Sequence, residues 1–466
     1  MMSHPTEVPQ PASDPKTLRL SEVIAAMSAA LDVTEGQPAG HAARSCMIGM
    51  RLADVIGLPA ADRADLFYAL LLKDLGCSSN AAKVCSLFGA DDRKAKHDLK
   101  LVDWARFSTS AAYVARTVLP GGSLLGKAVQ FVKVAAAGQG AAREMVYTRC
   151  ERGALIARQL MLSEGTAAAI RSLDELWDGT GQPDGLAGDQ VPLLSRIMNL
   201  AQTAEVFHRT HGLDAAFAVV RDRTGTWFDP ALCAAFRTLR SDEAFWASLA
   251  DEDVRTKVSA YEPPDRAVEA DAAALDRVAA GFAMVIDAKS PWTHKHSDGV
   301  AEIAAGIATE MGLMPGVVAG VRRAGMLHDL GKLGVSNLIL DKPGKLDPDE
   351  LAAMRRHPAY TLQILRHVAG FRDLAEVAAA HHERLDGTGY HRGAAGDAIP
   401  TMARILGVAD TYEALAAKRP YRQDLTAEEV LTIMRRNVGG GLDPAVFEAL
   451  LGWLARSGYQ PVKLAA

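Results

Sequence analysis

Eight of the thirteen histidines fall between His294 and His391, in the company of carboxylates. His328-Asp329 closes the apolar stretch GVVAGVRRAGMLHDLGK, His381-His382-Glu383 closes LAEVAAAHHE, and Asp410 closes ARILGVAD. A lone histidine on a helix is ordinarily a hydrogen-bonded surface or core residue. Several ionisable groups at the inner ends of apolar helices are different, because burying them is expensive unless a compensating charge is present. A bound cation supplies that charge. Imidazole and carboxylate with no cysteine nearby form a borderline-to-hard ligand set, suited to iron, manganese, zinc or similar divalent ions and unsuited to a structural thiolate site. Six or more such ligands exceed what one open catalytic ion needs, which points to two ions. A two-metal site activates a bridging hydroxide and clamps a phosphoryl group for in-line attack.

Residues suited to phosphate lie close by. Lys332 stands four residues past His328, on the same helical face, where its ammonium could neutralise a phosphate oxygen. Arg419-Pro420-Tyr421-Arg422 presents two guanidinium groups around a residue of fixed φ. Asp386-Gly387-Thr388-Gly389-Tyr390 is a glycine-bearing loop just after the paired histidines, and its aromatic ring could stack on a base or simply pack on the domain.

The elements that must position these groups read as helices throughout. From Leu18 onward apolar residues recur at three- and four-residue spacing, as in SEVIAAMSAALD, VAEIAAGIATEMGL and AEEVLTIMRRN. Leu346-Asp347-Pro348-Asp349-Glu350 adds a cap, a first-position proline and an acidic first turn. Strand alternation is absent, so the expected class is all-α. The 466 residues exceed one domain and imply two or three. A composition of 49% apolar and 23% charged residues is globular. The net charge of −5 provides no broad basic field for a nucleic acid or an anionic membrane. No apolar stretch approaches the roughly 20 residues of a membrane span. The polar, proline-rich residues 1–17 read as disordered and not as a secretory signal. Five cysteines without C-x-x-C spacing fit reduced thiols, so the expected location is the cytoplasm.

The chain also reads as one module written twice. DGTGQPDGLAGDQVP at 178–192 matches DGTGYHRGAAGDAIP at 386–400, with a constant offset of 386 − 178 = 208. Upstream, the stretch around His41 parallels the one around His296, and each leads after 32 residues to a related hexapeptide, LKDLGC or LHDLGK (73 − 41 = 328 − 296 = 32). From Asp74 to Cys150 the first copy runs 76 residues where the second, from Asp329 to His357, runs 28, which implies an insertion of about 48 by subtraction. The expected division is a first copy over 18–240, a linker over 241–275 around Pro263-Pro264, and a second copy over 276–466.

His296, HDLGK at 328–332, KPGKL at 342–346, His357-Pro358, HHERLDGTGY at 381–390, Asp410 and RPYR at 419–422 together resemble the HD-GYP phosphodiesterases, a branch of the HD metal-dependent phosphohydrolases. The resemblance covers about 280–460 and implies two HD-type helical domains in tandem. It further implies a metal centre, often of iron, that hydrolyses cyclic di-GMP to pGpG or GMP. Carried over position by position, the implied ligands are His296, His328, Asp329, His357, His381, His382 and Asp410. Asp329 is the bridge and acts with Lys332 in catalysis; Lys332, Arg419, Arg422 and Tyr390 face the substrate. The expected cofactors are two divalent ions, iron or manganese ahead of zinc, nickel or magnesium. Two ions are preferred to three because Trp292 stands where three-metal members carry a glutamate. The signature Gly-Tyr-Pro is here Gly389-Tyr390-His391, which bears on substrate preference or partner docking more than on hydrolysis.

In the first copy His41 and Asp74 survive, but Lys73, Cys150, Leu173-Asp174 and Gln202 are the expected replacements for the other ligands. This copy reads as a metal-free pseudo-domain, regulatory or dimerising. The expected partner is cyclic di-GMP or a related cyclic dinucleotide, with a protein partner at the pseudo-domain or the Gly-Tyr-His loop and a homodimer as further options. The alternatives are hydrolysis of another cyclic nucleotide and a catalytically silent receptor.

Overall fold

The computed structural model describes residues 18–104, 106–293, 295–417 and 425–459. Residues 1–17 and the Arg419-Pro420-Tyr421-Arg422 stretch lie outside the described residues. The fold is all-α: every regular element described is helical, and β-pairing is confined to isolated bridges such as Arg19 with Glu269. No helix among the described residues is long and apolar enough to cross a membrane.

In the first copy, α1 (Leu20–Thr34), α2 (His41–Val55), α3 (Ala60–Leu72), α4 (Leu124–Gln159), α5 (Glu164–Arg171) and α6 (Leu193–His211) follow in order. The second copy answers each with α7 (Ala272–Asp287), α8 (His296–Glu310), α9 (Pro315–Leu327), α10 (His357–Leu365), α11 (Arg372–Ala379) and α12 (Thr401–Ala416). The local chemistry repeats as well. Asp32 accepts from the Gly40 and Ala42 N–H groups at 2.7 and 2.9 Å. Asp287, at the same place in the second copy, accepts from Ser297 Oγ at 2.6 Å and from its N–H at 3.3 Å. A carboxylate near the end of one helix thus satisfies free N–H groups at the start of the next, where a histidine is the first residue.

Packing joins the copies. The core built by Val23, Ile24, Met27, Leu66 and Phe67 of the first copy runs on into Phe282, Leu330, Leu333, Leu365 and Phe371 of the second. A separate core around α8, α9 and α12 buries Val300, Ile303, Ile307, Leu406, Tyr412 and Phe447. Between the copies, Glu243–Ser248, Val254–Lys257 and Val258–Tyr261 form short helical turns. They pack against the first copy: Val254 and Val258 are buried there, and Glu262 accepts from Ser21 Oγ and Tyr68 OH, both at 2.6 Å. The extra residues of the first copy form the helices Ala81–Phe88, Asp92–Lys100 and Phe107–Thr117 and the start of α4, which breaks at Gly138 with φ of 59°.

Candidate metal centre

The ends of α8, α9, α10 and α11 and the middle of α12, where Asp410 lies inside the helix and does not close it as expected, converge on one buried point. His296 opens α8, His328-Asp329 follows α9, His357 opens α10, His381-His382 follows α11 and Asp410 lies within α12. His328, His357 and His381 each hydrogen-bond through Nδ1 to the carbonyl three residues upstream: Gly325 at 2.7 Å, Met354 at 2.8 Å and Ala378 at 2.6 Å. That bond fixes the tautomer and leaves Nε2 facing the centre.

The inward atoms form two groups. His296, His328 and Asp410 make one, and His357, His381 and His382 the other, each with its ligand atoms within 4.8 Å of one another. Asp329 lies between them. Its Oδ2 is 3.5 Å from His296 Nε2 and 3.3 Å from His328 Nε2; its Oδ1 is 3.4 Å from His357 Nε2 and 3.8 Å from His381 Nε2. Lys332 Nζ also reaches Oδ2. His382 and Asp410 are the most exposed of the seven, at 26% and 15%, so the centre opens to solvent on their side.

Burial lowers His357 to about 3 and His382 to about 4 despite the opposing pull of Asp329, and holds His381 well below its ordinary value. These rings are neutral at physiological pH, with lone pairs available to a cation. Burial also disfavours charge on Asp329 and Asp410, but the facing histidines, with Lys332 for Asp329, outweigh it and keep both carboxyls well below the usual range. His328 Nε2 and Asp329 Oδ1 are buried and meet no hydrogen-bond partner among the described residues. Buried polar atoms without a partner are rare. Two divalent ions, one per group with Asp329 shared, would satisfy them, so the residues present fit a dinuclear centre.

Several residues that sequence reasoning missed support this centre. Glu413 accepts from His296 Nδ1 and is 6% exposed. Thr361 Oγ1 accepts from the Gly331 N–H at 2.8 Å and donates to the His328 carbonyl at 2.9 Å. At the mouth, the Tyr390 ring lies 4.6 Å from that of His382, and the Arg355 guanidinium lies 5.2 Å from the Tyr390 centroid. Arg355, His382, Arg384, Tyr390 and Thr411 line a single cavity. Glu383 ties down the loop, accepting from the Arg392 and Ala394 N–H groups at 2.7 and 2.9 Å. The Arg384 signal sat inside HHER; Arg355 carried none beyond its nearness to His357.

The same place in the first copy is filled by protein cations. Lys73 pairs with Asp74, Arg149 pairs with Asp174, and Lys100 Nζ lies 3.4 Å from Asp74 Oδ1 and 3.2 Å from Glu35 Oε2. His41 Nδ1 is bound to Glu205, as His296 is to Glu413. One expected replacement is corrected here. A Cβ on Gly331 would meet the His357 carbonyl oxygen at 1.9 Å, and a Cβ on Gly76 would meet that of Arg149 at 1.9 Å. Arg149, and not Cys150, therefore stands where His357 does.

The HD domain family model matches residues 132–232 and 281–446. The 3′3′-cGAMP-specific phosphodiesterase 3 of Vibrio cholerae is 42% identical over 434 residues, which cover 93% of this chain and 94% of that protein. A crystal structure of the cyclic GMP-AMP specific phosphodiesterase V-cGAP3 of V. cholerae matches 95% of this chain and 100% of its own, at 36% identity with a TM-score of 0.64. A cyclic di-GMP phosphodiesterase of Thermotoga maritima is 38% identical over 161 residues, 34% of this chain and 44% of that protein.

Proposed function

Because this chain belongs to the HD domain family, in its HD-GYP branch of cyclic-dinucleotide phosphodiesterases, we propose that its second copy hydrolyses 3′3′-cGAMP. One observation carries the choice of substrate. The relative named for 3′3′-cGAMP aligns across both copies, whereas the T. maritima relative named for cyclic di-GMP aligns over about a third of the chain. Cyclic di-GMP, the substrate expected from the sequence, is therefore the second reading.

In this proposal His296, His328 and Asp410 would hold one divalent ion and His357, His381 and His382 the other, with Asp329 available to both. When bound, the ions supply Lewis-acid charge and make water acidic enough to attack phosphorus. Water adds to phosphorus, one P–O ester bond of the ring breaks, and the departing ribose oxygen takes up the proton that the water gives up, so the first product is a linear dinucleotide with a terminal phosphate. Lys332, whose ammonium sits over Asp329 at the edge of the centre, neutralises a phosphoryl oxygen. Arg355 and Arg384 add positive charge at the mouth, and Tyr390 offers a face for a base. Arg419 and Arg422 keep their proposed phosphate role from the sequence alone. Residues 18–240 act as a metal-free partner to the catalytic residues 276–466.

The test is turnover by the full chain loaded with iron or manganese. We expect kcat/KM for 3′3′-cGAMP to exceed that for cyclic di-GMP by at least about tenfold, a difference of about 1.4 kcal/mol in transition-state binding. The reverse preference would install cyclic di-GMP as the substrate. Tight binding of both without turnover would make the protein a receptor.

A further inference from the structure

One helix of the first-copy insertion reaches the first copy's own centre and also the stretches that flank the second copy's ligand residues. At the amino end of the Asp92–Lys100 helix, Asp92 is fully buried, with Oδ2 3.1 Å from Lys289 Nζ and Oδ1 accepting the Asn337 N–H at 3.1 Å. Lys289 is 1% exposed, and Asn337 Nδ2 donates back to the Lys289 carbonyl at 2.7 Å. Lys289 lies on the stretch that leads into His296, and Asn337 lies five residues beyond Lys332. A single carboxylate of the first copy thus ties together the stretch that leads into His296 and the stretch that follows the His328–Lys332 turn. Beside it, Arg93 Nη1 donates at 2.5 Å to the carbonyl of Gly334, which closes the turn carrying Lys332.

Further along the same face, this helix is anchored in the first copy's own centre. Lys96 Nζ donates to the Cys77 carbonyl at 2.8 Å and lies 3.6 Å from Glu35 Oε1. Lys100 reaches Glu35 and Asp74. Glu35 follows α1, and Val33 of α1 lies against Gly334, where a Cβ would meet its Cγ1 at 3.3 Å. A buried ion pair seldom stabilises a fold more than a well-packed apolar pair would. What it adds is direction: the two oxygens of Asp92 accept only one placement of Lys289 and Asn337 relative to each other.

We infer that Asp92 is a positioning residue for hydrolysis in the second copy, and that the Asp92–Lys100 helix couples the cation-filled centre of the first copy to the metal centre of the second. The inference rests on the cyclic-dinucleotide hydrolase reading. Small displacements of catalytic groups cost rate more than binding when the substrate's other contacts are intact.

The experiment compares the parent full chain with Asp92→Asn, Arg93→Ala and Lys100→Met, each loaded with manganese. For Asp92→Asn we expect kcat to fall about tenfold, equal to about 1.4 kcal/mol, with KM within about twofold and metal content unchanged. Arg93→Ala and Lys100→Met should lower kcat about threefold, within the usual range of coupling between distant sites. In metal-free protein, amide exchange over residues 330–340 should quicken in all three variants while exchange in α12 stays as in the parent. Parental kcat and parental exchange in the variants would overturn the inference, and so would a lowered melting temperature with kcat unchanged. If Asp92→Asn fails to fold, Arg93→Ala, which removes partly exposed contacts to the Gly334 carbonyl and to Asp91, decides alone. A parent inactive on both cyclic dinucleotides would sink the hydrolase reading, and the exchange measurement would then decide the positioning role independently.

Discussion

Replacing Glu413 by Gln isolates the contribution of a residue that touches no expected ion. Glu413 is 6% exposed and holds His296 Nδ1, and its Cγ lies so close to α8 that a Cβ on Gly299 would meet it at 3.1 Å. Glutamine keeps the shape and a carbonyl oxygen that can still accept the Nδ1–H bond, so only the charge is removed. That charge raises the basicity of the His296 ring, whose pKa is held well above the ordinary value by Glu413, Asp329 and Asp410 against the effect of burial. Loss of such an outer carboxylate typically weakens metal affinity 10- to 100-fold, about 1.4 to 2.7 kcal/mol. Because the hydrogen bond survives, we place Glu413→Gln near the lower end and Glu413→Ala near the upper. Competition between the protein and a metallochromic chelator for manganese, at neutral pH, measures this directly. Glu205→Gln, the same change at the first copy's centre, should leave manganese affinity as it was. Equal affinity for parent and Glu413→Gln would refute the argument, and an equal loss in Glu205→Gln would show that the first copy binds metal after all.

Asp329→Ala should cost both ions and all turnover, since one carboxylate faces both ligand groups; elemental analysis showing two retained ions would contradict this. Thr361→Val strands the Gly331 N–H and the His328 carbonyl inside the protein and should cost about 1 to 3 kcal/mol in a denaturant melt. At His391, burial and Arg392 lower the pKa below 6.5, so the ring is neutral at pH 7; its contribution to stability is present above pH 6.5 and is lost as pH falls through the folded value. His391→Pro should therefore leave the pH dependence of substrate affinity unchanged between pH 7 and 8, and an inflection near pH 7 in the parent alone would contradict that. A fragment of residues 276–466 uncovers Phe282, Leu330, Leu333 and Phe371, so it should aggregate or melt well below the full chain by light scattering and calorimetry.

The cluster of candidate ligands was legible because metal chemistry restricts residue type and the histidines crowd the ends of apolar helices. Glu413 was not, because a glutamate three residues after Asp410 looks like any solvated helix residue. The repeat held the missing signal: Glu205 stands 413 − 205 = 208 residues earlier, although the Asp410 position there is Gln202. The same offset places Arg149 opposite His357, since 357 − 149 = 208, and counting across the insertion instead slipped the register by one. Pro263-Pro264 marked a break, yet Val254, Val258 and Glu262 pack into the first copy through contacts far apart in sequence. Contacts of that kind, like the Asp92 to Lys289 pair, follow from how the copies dock, which no local pattern encodes.

The cations at the first copy's centre are covalently part of the chain. Lys73, Lys100 and Arg149 are present from the moment of synthesis, whereas on the proposed reading the charge around Asp329 and Asp410 would be balanced by ions from outside. The two halves would then answer differently to metal starvation: chelation would leave the first half's ion pairs intact and withdraw binding free energy from the second. Because the two halves share one core, an empty second half would still have the first to pack against. On that reading, duplication with loss of ligands yields a chain whose first half does not depend on the supply that its chemistry requires.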